Sequence, residues 1–225
     1  METENKNLLT QGAKTFGISL DGKATEAFEL YLHELLKWNQ KINLTAIRTE
    51  KGIVLKHFLD SLSILSHLSR VSLLLDLGSG AGFPGIPLKI VQPSLRVTLM
   101  DSVRKKADFQ RHILRTLGLT GIEAVHGRAQ DQEIAGRMKG PFDMVISRAL
   151  SDTQTFLKLS DPFLKKGGRV LAMKVDVSRE EIQRHAEAEG DRYKLLETVS
   201  LILPFSSFKR SILIFEKKVN HPTGT

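Results

Sequence analysis

The residues best suited to chemistry fall at four points along the chain. Residues 73–87 read LLLDLGSGAGFPGIP, an apolar run closed by Asp76 and followed by glycines at 78, 80, 82 and 85. A short leucine run is the pattern of a buried strand, and glycine is needed where the backbone takes a positive φ or approaches a ligand more closely than a Cβ permits. Asp101 comes 25 positions after Asp76, at the end of a second apolar run. A carboxylate in that place can accept both hydroxyls of a ribose. A third run leads into Gly127-Arg128-Ala129-Gln130, where Ala129 leaves room for a purine ring and Gln130 or a backbone amide can bond its edge. A fourth ends at Ser147-Arg148-Ala149. A guanidinium there must meet a carboxylate or a phosphate, because burying it unpaired is costly.

Two ligands compete for the glycine turn. Gly80, Gly82 and Gly85 satisfy G-x-G-x-x-G, which predicts a dinucleotide with its pyrophosphate on the amides of the helix behind the turn. The register differs, since Asp76 ends the strand and Gly78 precedes that triad. An acidic residue followed by G-x-G-x-G resembles the class I S-adenosylmethionine (SAM) methyltransferases, whose ligand carries a sulfonium and an ammonium and no phosphate. A glycine-rich turn without a ligand is the third alternative.

These points need strands and helices to hold them. Helical spacing runs from residue 23 to 40, with Asp21 as cap and Ala27, Leu30, Tyr31, Leu35 and Trp38 on one face, and a second helix is predicted from 49 to 68. His57, within that second helix, reads as a satisfied surface histidine. Strands are predicted near 72–77, 95–101, 122–126, 141–147, 168–174, 194–203 and 208–217, with helices near 84–91, 103–118, 128–138, 152–160 and 178–190. Alternation of this kind predicts a doubly wound α/β sheet, mostly parallel. Pro204-Phe205-Ser206-Ser207 links the last two strands as a hairpin, so an antiparallel final strand is expected at one edge. Three parts follow: a helical extension over 1–70, the α/β domain over 71–219 and a disordered tail over 220–225.

Composition narrows the chemistry further. With no cysteine among 225 residues, disulfides, thiolate metal sites and cysteine nucleophiles are excluded, and the seven histidines lack ligand spacing, so no metal is expected. No apolar run approaches the roughly 20 residues that span a bilayer, and the chain is read as cytoplasmic with no membrane partner. A net charge of +8 favours a polyanionic partner such as RNA. Lys105, Lys106, Lys165, Lys166 and Arg210 fall in sequence near the elements expected to frame the ligand mouth and are the candidate RNA contacts.

Lys37-Trp38-Asn39 with Asn43-Leu44-Thr45, then residues 57–62, GFPGIP, Asp101-Ser102, Gly127-Arg128-Ala129 and Ser147-Arg148-Ala149 together resemble the bacterial small-subunit (16S) ribosomal RNA guanine-N7 methyltransferases, a family also called glucose-inhibited division protein B. The resemblance covers nearly the whole chain and implies a Rossmann-like class I fold and a SAM site. The resemblance implies Gly78, Phe83, Ala129, Gln130 and Arg148 as its contacts, the last orienting the target, and the turn and strand ends add Asp76, Gly80 and Asp101 as cofactor candidates. It implies methyl transfer to N7 of a guanine in small-subunit ribosomal RNA, alone or within a partly assembled ribosomal particle, and a monomer is expected. A methyltransferase for another RNA, a protein or a small molecule is the alternative. Two positions depart from the family pattern, with Gln130 in place of glutamate and Val175 in place of glycine. The exocyclic-amine signature N/D-P-P-Y/F is replaced by Ser147-Arg148-Ala149-Leu150, and cytosine C5 chemistry lacks its cysteine.

Overall fold

The computed structural model describes residues 1–138, 142–148, 152–175, 177 and 192–219. The sequence-predicted helix over 178–190 and the tail over 220–225 lie outside them.

The chain opens with α1 (Thr3–Thr15) and α2 (Gly22–Asn39). Asp21 caps α2 as predicted, accepting a hydrogen bond from the Ala24 amide (2.7 Å). The buried stripe of α2 is Phe28, Tyr31, Leu32 and Leu35, whereas Leu30 is 40% exposed. The face is thus turned from the one the spacing suggested. The single helix expected over 49–68 is instead broken into α3 (Glu50–Ile53), a π-helix (Val54–Leu59), α4 (Asp60–Leu62) and a 3-10 turn (Leu65–Leu68). A π-turn widens the backbone spiral and is common where a helix must aim side chains at a site.

The sheet then begins. Its strands are β1 (Leu73–Leu77), β2 (Arg96–Asp101), β3 (Ile122–His126), β4 (Phe142–Ser147), β5 (Leu164–Lys174), β6 (Tyr193–Ile202) and β7 (Lys209–Lys217). Between them come α5 (Gly85–Val91), α6 (Arg104–Thr116), α7 (Gln132–Arg137) and α8 (Thr153–Ser160). The strand order is β3-β2-β1-β4-β5-β7-β6. Strands β1 to β5 are parallel, and β7 is antiparallel to both β5 and β6. The final strand is therefore antiparallel as expected, but it inserts one place in from the edge and leaves β6 outermost. A hairpin permits either order, and β7, with five consecutive buried residues, takes the position covered on both faces.

Alternate residues of the central strands serve two cores. Leu74, Leu99, Met144, Ile146 and Ile214 face α5, α6 and the amino-terminal helices in one continuous cluster. Leu75, Met100, Val145, Val170 and Leu213 face Phe156 and Leu157 of α8 on the other side. The hydrophobic core runs without a break across residue 70. Among the described residues no helix is long and apolar enough to cross a membrane.

Candidate functional site

Order reverses between β1 and β4, and the carboxyl ends of these strands open on two adjoining cavities, the usual ligand crevice of an open parallel sheet. The larger, about 480 Å³, is lined by Leu77, Gly78, Met100, Asp101, Arg128, Ala129, Gln130 and Leu159 among others. The smaller, about 160 Å³, is lined by Thr45, His57, residues 78–81, Phe83, Lys106 and Arg148. Gly78 belongs to both.

The turn between β1 and α5 is held from below and from both sides. Gly78, Gly80 and Gly82 all have positive φ, and Gly80 (φ +61°) has open space where a side chain would stand. Asp101 Oδ2 accepts from the Gly80 amide (2.8 Å) and Oδ1 from Val103 (2.9 Å). Gln110, fully buried on α6, donates to Ser79 Oγ and to the Gly80 carbonyl, both at 2.7 Å. From α2 the Tyr31 hydroxyl donates to the Ala81 carbonyl (2.5 Å), and its ring stacks on Phe83. The amino-terminal helices are therefore part of the turn's support.

Asp76 does not line either cavity, contrary to its assignment as a cofactor contact. It is fully buried, with Oδ2 accepting from the Gly85 amide (2.8 Å) and Oδ1 without a partner among the described residues. Gly85 must lack a side chain, because a Cβ there would press on Leu99 and on Asp76 Oδ2. The first turn of α5 has no amide left for a phosphate. Pro84 and Pro87 have none, Gly85 serves Asp76, Ile86 donates to the Gly82 carbonyl and Leu88 to the Pro84 carbonyl. A pyrophosphate would meet a carboxylate where it needs donors. The larger cavity instead suits a purine nucleoside, with Leu77, Met100, Ala129 and Leu159 for the ring and a spare lone pair on each Asp101 oxygen for ribose hydroxyls.

Beyond the turn, Arg148 meets the carboxylate it required. Its Nη1 donates to Asp60 Oδ2 (3.0 Å) and to the Lys56 carbonyl (3.2 Å), its Nη2 to His57 Nδ1 (2.9 Å), and its guanidinium lies 5.3 Å from the Phe83 ring centre. Asp60, only 4% exposed, holds a second arginine, Arg210, through Oδ1 (2.8 Å). His57 is buried, stacked 4.5 Å from Phe83 and bonded on both ring nitrogens, so the surface role read for it is overturned. The π-helix turns it inward. Sequence reasoning also missed Tyr31, Asp60 and Gln110. A His-x-x-Asp-Ser group inside the apolar run from Ile53 to Leu62 was the available signal for two buried polar partners.

The candidate RNA residues separate. Lys106 lines the smaller cavity, with Lys105 exposed beside it on α6. Arg210 is at the same end, spent largely on Asp60. Lys165 and Lys166 are not at the mouth: they begin β5 at the opposite end of the sheet, where Lys165 pairs with Asp143, which also accepts from the Ser72 and Leu73 amides. Strand β5 starts at Leu164 rather than 168, which places them at its amino end. Among the described residues no cluster of three or more His, Asp or Glu is placed to hold a metal.

Two buried groups at this site titrate in opposite senses. Burial, then Arg148, pushes His57 down from 6.5 to about 3, while burial raises Asp76 from 3.8 to about 7. Below pH 6.5 the unfolded chain protonates His57 and the folded protein does not, so acidification costs stability. Asp76 does the reverse, because below pH 7 the folded carboxyl keeps a proton that the unfolded one has released. Between pH 5 and 6.5 the two slopes oppose. In Asp76→Asn only the histidine slope survives, and thermal melts should lose stability on acidification by up to about 1.4 kcal/mol per pH unit more than the parent. A variant with the parent's pH profile would refute the linkage.

The strand order, the glycine turn and the acid-terminated second strand define a Rossmann-like methyltransferase fold. A SAM-dependent methyltransferase from Aquifex aeolicus has this architecture, at a TM-score of 0.57 and 16% identity, over 73% of this chain and 92% of that one. The family model described as rRNA small subunit methyltransferase G (GidB) matches residues 24–207, and the chain belongs to that family. The ribosomal RNA small subunit methyltransferase G of Geobacter metallireducens is 43% identical over 97% of this chain and 99% of its own length. That of Acetivibrio thermocellus is 39% identical over 99% of this chain and 92% of its own.

Proposed function

We propose that this chain, acting in the cytoplasm, transfers a methyl group from SAM to N7 of a guanine in small-subunit ribosomal RNA. The observation that carries the reading is that, among the described residues lining the smaller cavity, no side chain is free to take a proton. The His57 Nδ1 lone pair is taken by Arg148, Asp60 is held by two arginines, and Asp101 serves two backbone amides. Lys106 is a donor only. Such a site suits a nucleophile that brings no proton. Guanine N7 has an in-plane lone pair and is unprotonated at neutral pH, so catalysis reduces to alignment and electrostatics. SAM, when bound, supplies a methyl group already activated on a sulfonium. Asp101 would hold its ribose and residues 127–130 its adenine, with the turn at 78–80 beneath. Arg148, fixed by Asp60 and His57, orients the target base, and Lys105 and Lys106 meet the RNA backbone.

Single-turnover rates with saturating SAM and RNA are expected to stay within about twofold from roughly pH 6.5 to 8.5, because no general base is used. The product should contain 7-methylguanine, which makes the strand cleavable by borohydride followed by aniline at that nucleotide. A rate rising tenfold per pH unit, or methylated RNA that resists cleavage, would assign the reaction to another atom.

A further inference from the structure

The hydrogen-bond inventory around the smaller cavity leaves one proton unused, and its position bears on which base can enter. Arg148 can only donate, so the His57 Nδ1 that meets Arg148 Nη2 at 2.9 Å must carry a lone pair. The ring hydrogen is then on Nε2, which donates to Thr45 Oγ1 at 2.8 Å. The Ile47 amide donates to the same oxygen at 3.1 Å. A hydroxyl has two lone pairs and one hydrogen, so both acceptor positions of Thr45 are filled and only its hydrogen remains. No acceptor among the described residues takes it.

The residue that carries this hydrogen is held from its backbone as well. Asn39, buried at the end of α2, accepts from the Leu44 and Thr45 amides through Oδ1 (2.9 and 3.0 Å) and donates from Nδ2 to the Thr45 carbonyl (2.9 Å). Thr45 lines the cavity with Arg148, Phe83 and residues 78–81, directly beside the larger cavity. The chain Arg148 to His57 to Thr45 thus fixes the hydroxyl as a donor.

We infer that Thr45 is a specificity-determining donor that reads the O6 carbonyl of the target guanine; this rests on the guanine-N7 reading above. Guanine presents two acceptors on this edge, N7 and O6. A donor on N7 would occupy the lone pair that has to attack, so the only acceptor open to Thr45 without blocking the reaction is O6. Adenine presents an N6 amino group there, and two donors would face each other.

The test uses RNA in which the guanine mapped by borohydride and aniline cleavage is left as guanine or replaced by inosine or 2-aminopurine. Inosine keeps O6 and N7, whereas 2-aminopurine keeps N7 and the amino group but lacks O6. The parent enzyme should favour guanine and inosine over 2-aminopurine by about 10- to 100-fold in kcat/KM. Thr45→Val should lose that factor on guanine, keep its 2-aminopurine rate within a few-fold and keep its SAM affinity, while Thr45→Ser restores discrimination. Equal use of 2-aminopurine and guanine by the parent, or a Thr45→Val defect equal on both, would overturn the assignment. If the parent methylates no guanine in the unmodified RNA, the functional reading itself fails, and the control shows this before any variant is made.

Discussion

Replacing Asp60 with alanine is expected to cost about 3–5 kcal/mol of folding stability, the range for removing one partner from a buried ion pair. In a chain of this size that lowers the melting temperature by roughly 6–20 °C. The reason is a charge count. Arg148 and Arg210, with side chains only 18% and 14% exposed, share this one carboxylate, and its loss strands both cations together. His57 cannot compensate, since it is neutral and already accepts from Arg148. Asp60→Ala combined with Arg210→Met should regain part of the loss by removing one stranded cation. The exposed pair Asp108 with Arg111 is the control, and Asp108→Ala should stay within about 0.5 kcal/mol of the parent. Chemical denaturation decides the matter, and an Asp60→Ala curve superimposed on the parent's would show that the arginines do not depend on it.

Asp101→Ala should weaken SAM binding by about 1–3 kcal/mol, or roughly 5- to 150-fold, as for a charge-assisted hydrogen bond. Two losses combine. On the proposed reading the ribose hydroxyls lose their acceptor, and the Gly80 and Val103 amides lose the group that ties the turn to the end of β2. Asp101→Asn keeps one side-chain oxygen and should bind more tightly than the alanine variant. Titration calorimetry measures both, with circular dichroism to confirm folding. An unchanged dissociation constant for Asp101→Ala would remove the residue from the cofactor site.

Much of this architecture was legible in the sequence because it depends on local pattern. Leucine-rich runs at regular spacing, the acid-terminated β2 and the glycine turn each state their structure within a few residues. What was not legible depends on partners distant in sequence. Asp76 reads as a ligand contact in the sequence, whereas in the fold it is fully buried behind the turn with one oxygen on the Gly85 amide, nine residues on. His57 reads as a surface residue because helical periodicity assumes 3.6 residues per turn, and the π-helix does not keep that period. Lys165 and Lys166 are neighbours of the mouth elements in sequence but not in space. A strand is long enough to carry a residue to the far end of the sheet.

The placement of β7 has a bearing on how the protein is made. Among the described residues β6 is bonded to β7 alone and β5 has β7 as its only neighbour beyond β4, so neither strand is fully paired until β7 has been synthesised. Ile212 and Ile214 of that strand belong to the same core as Leu9 and Ala13 of the first helix. A nascent chain therefore cannot finish its core segment by segment from the amino terminus. Its earliest helix and its final strand must meet, and until they do the growing polypeptide exposes apolar surface and an unpaired sheet edge for which chaperones and aggregation compete.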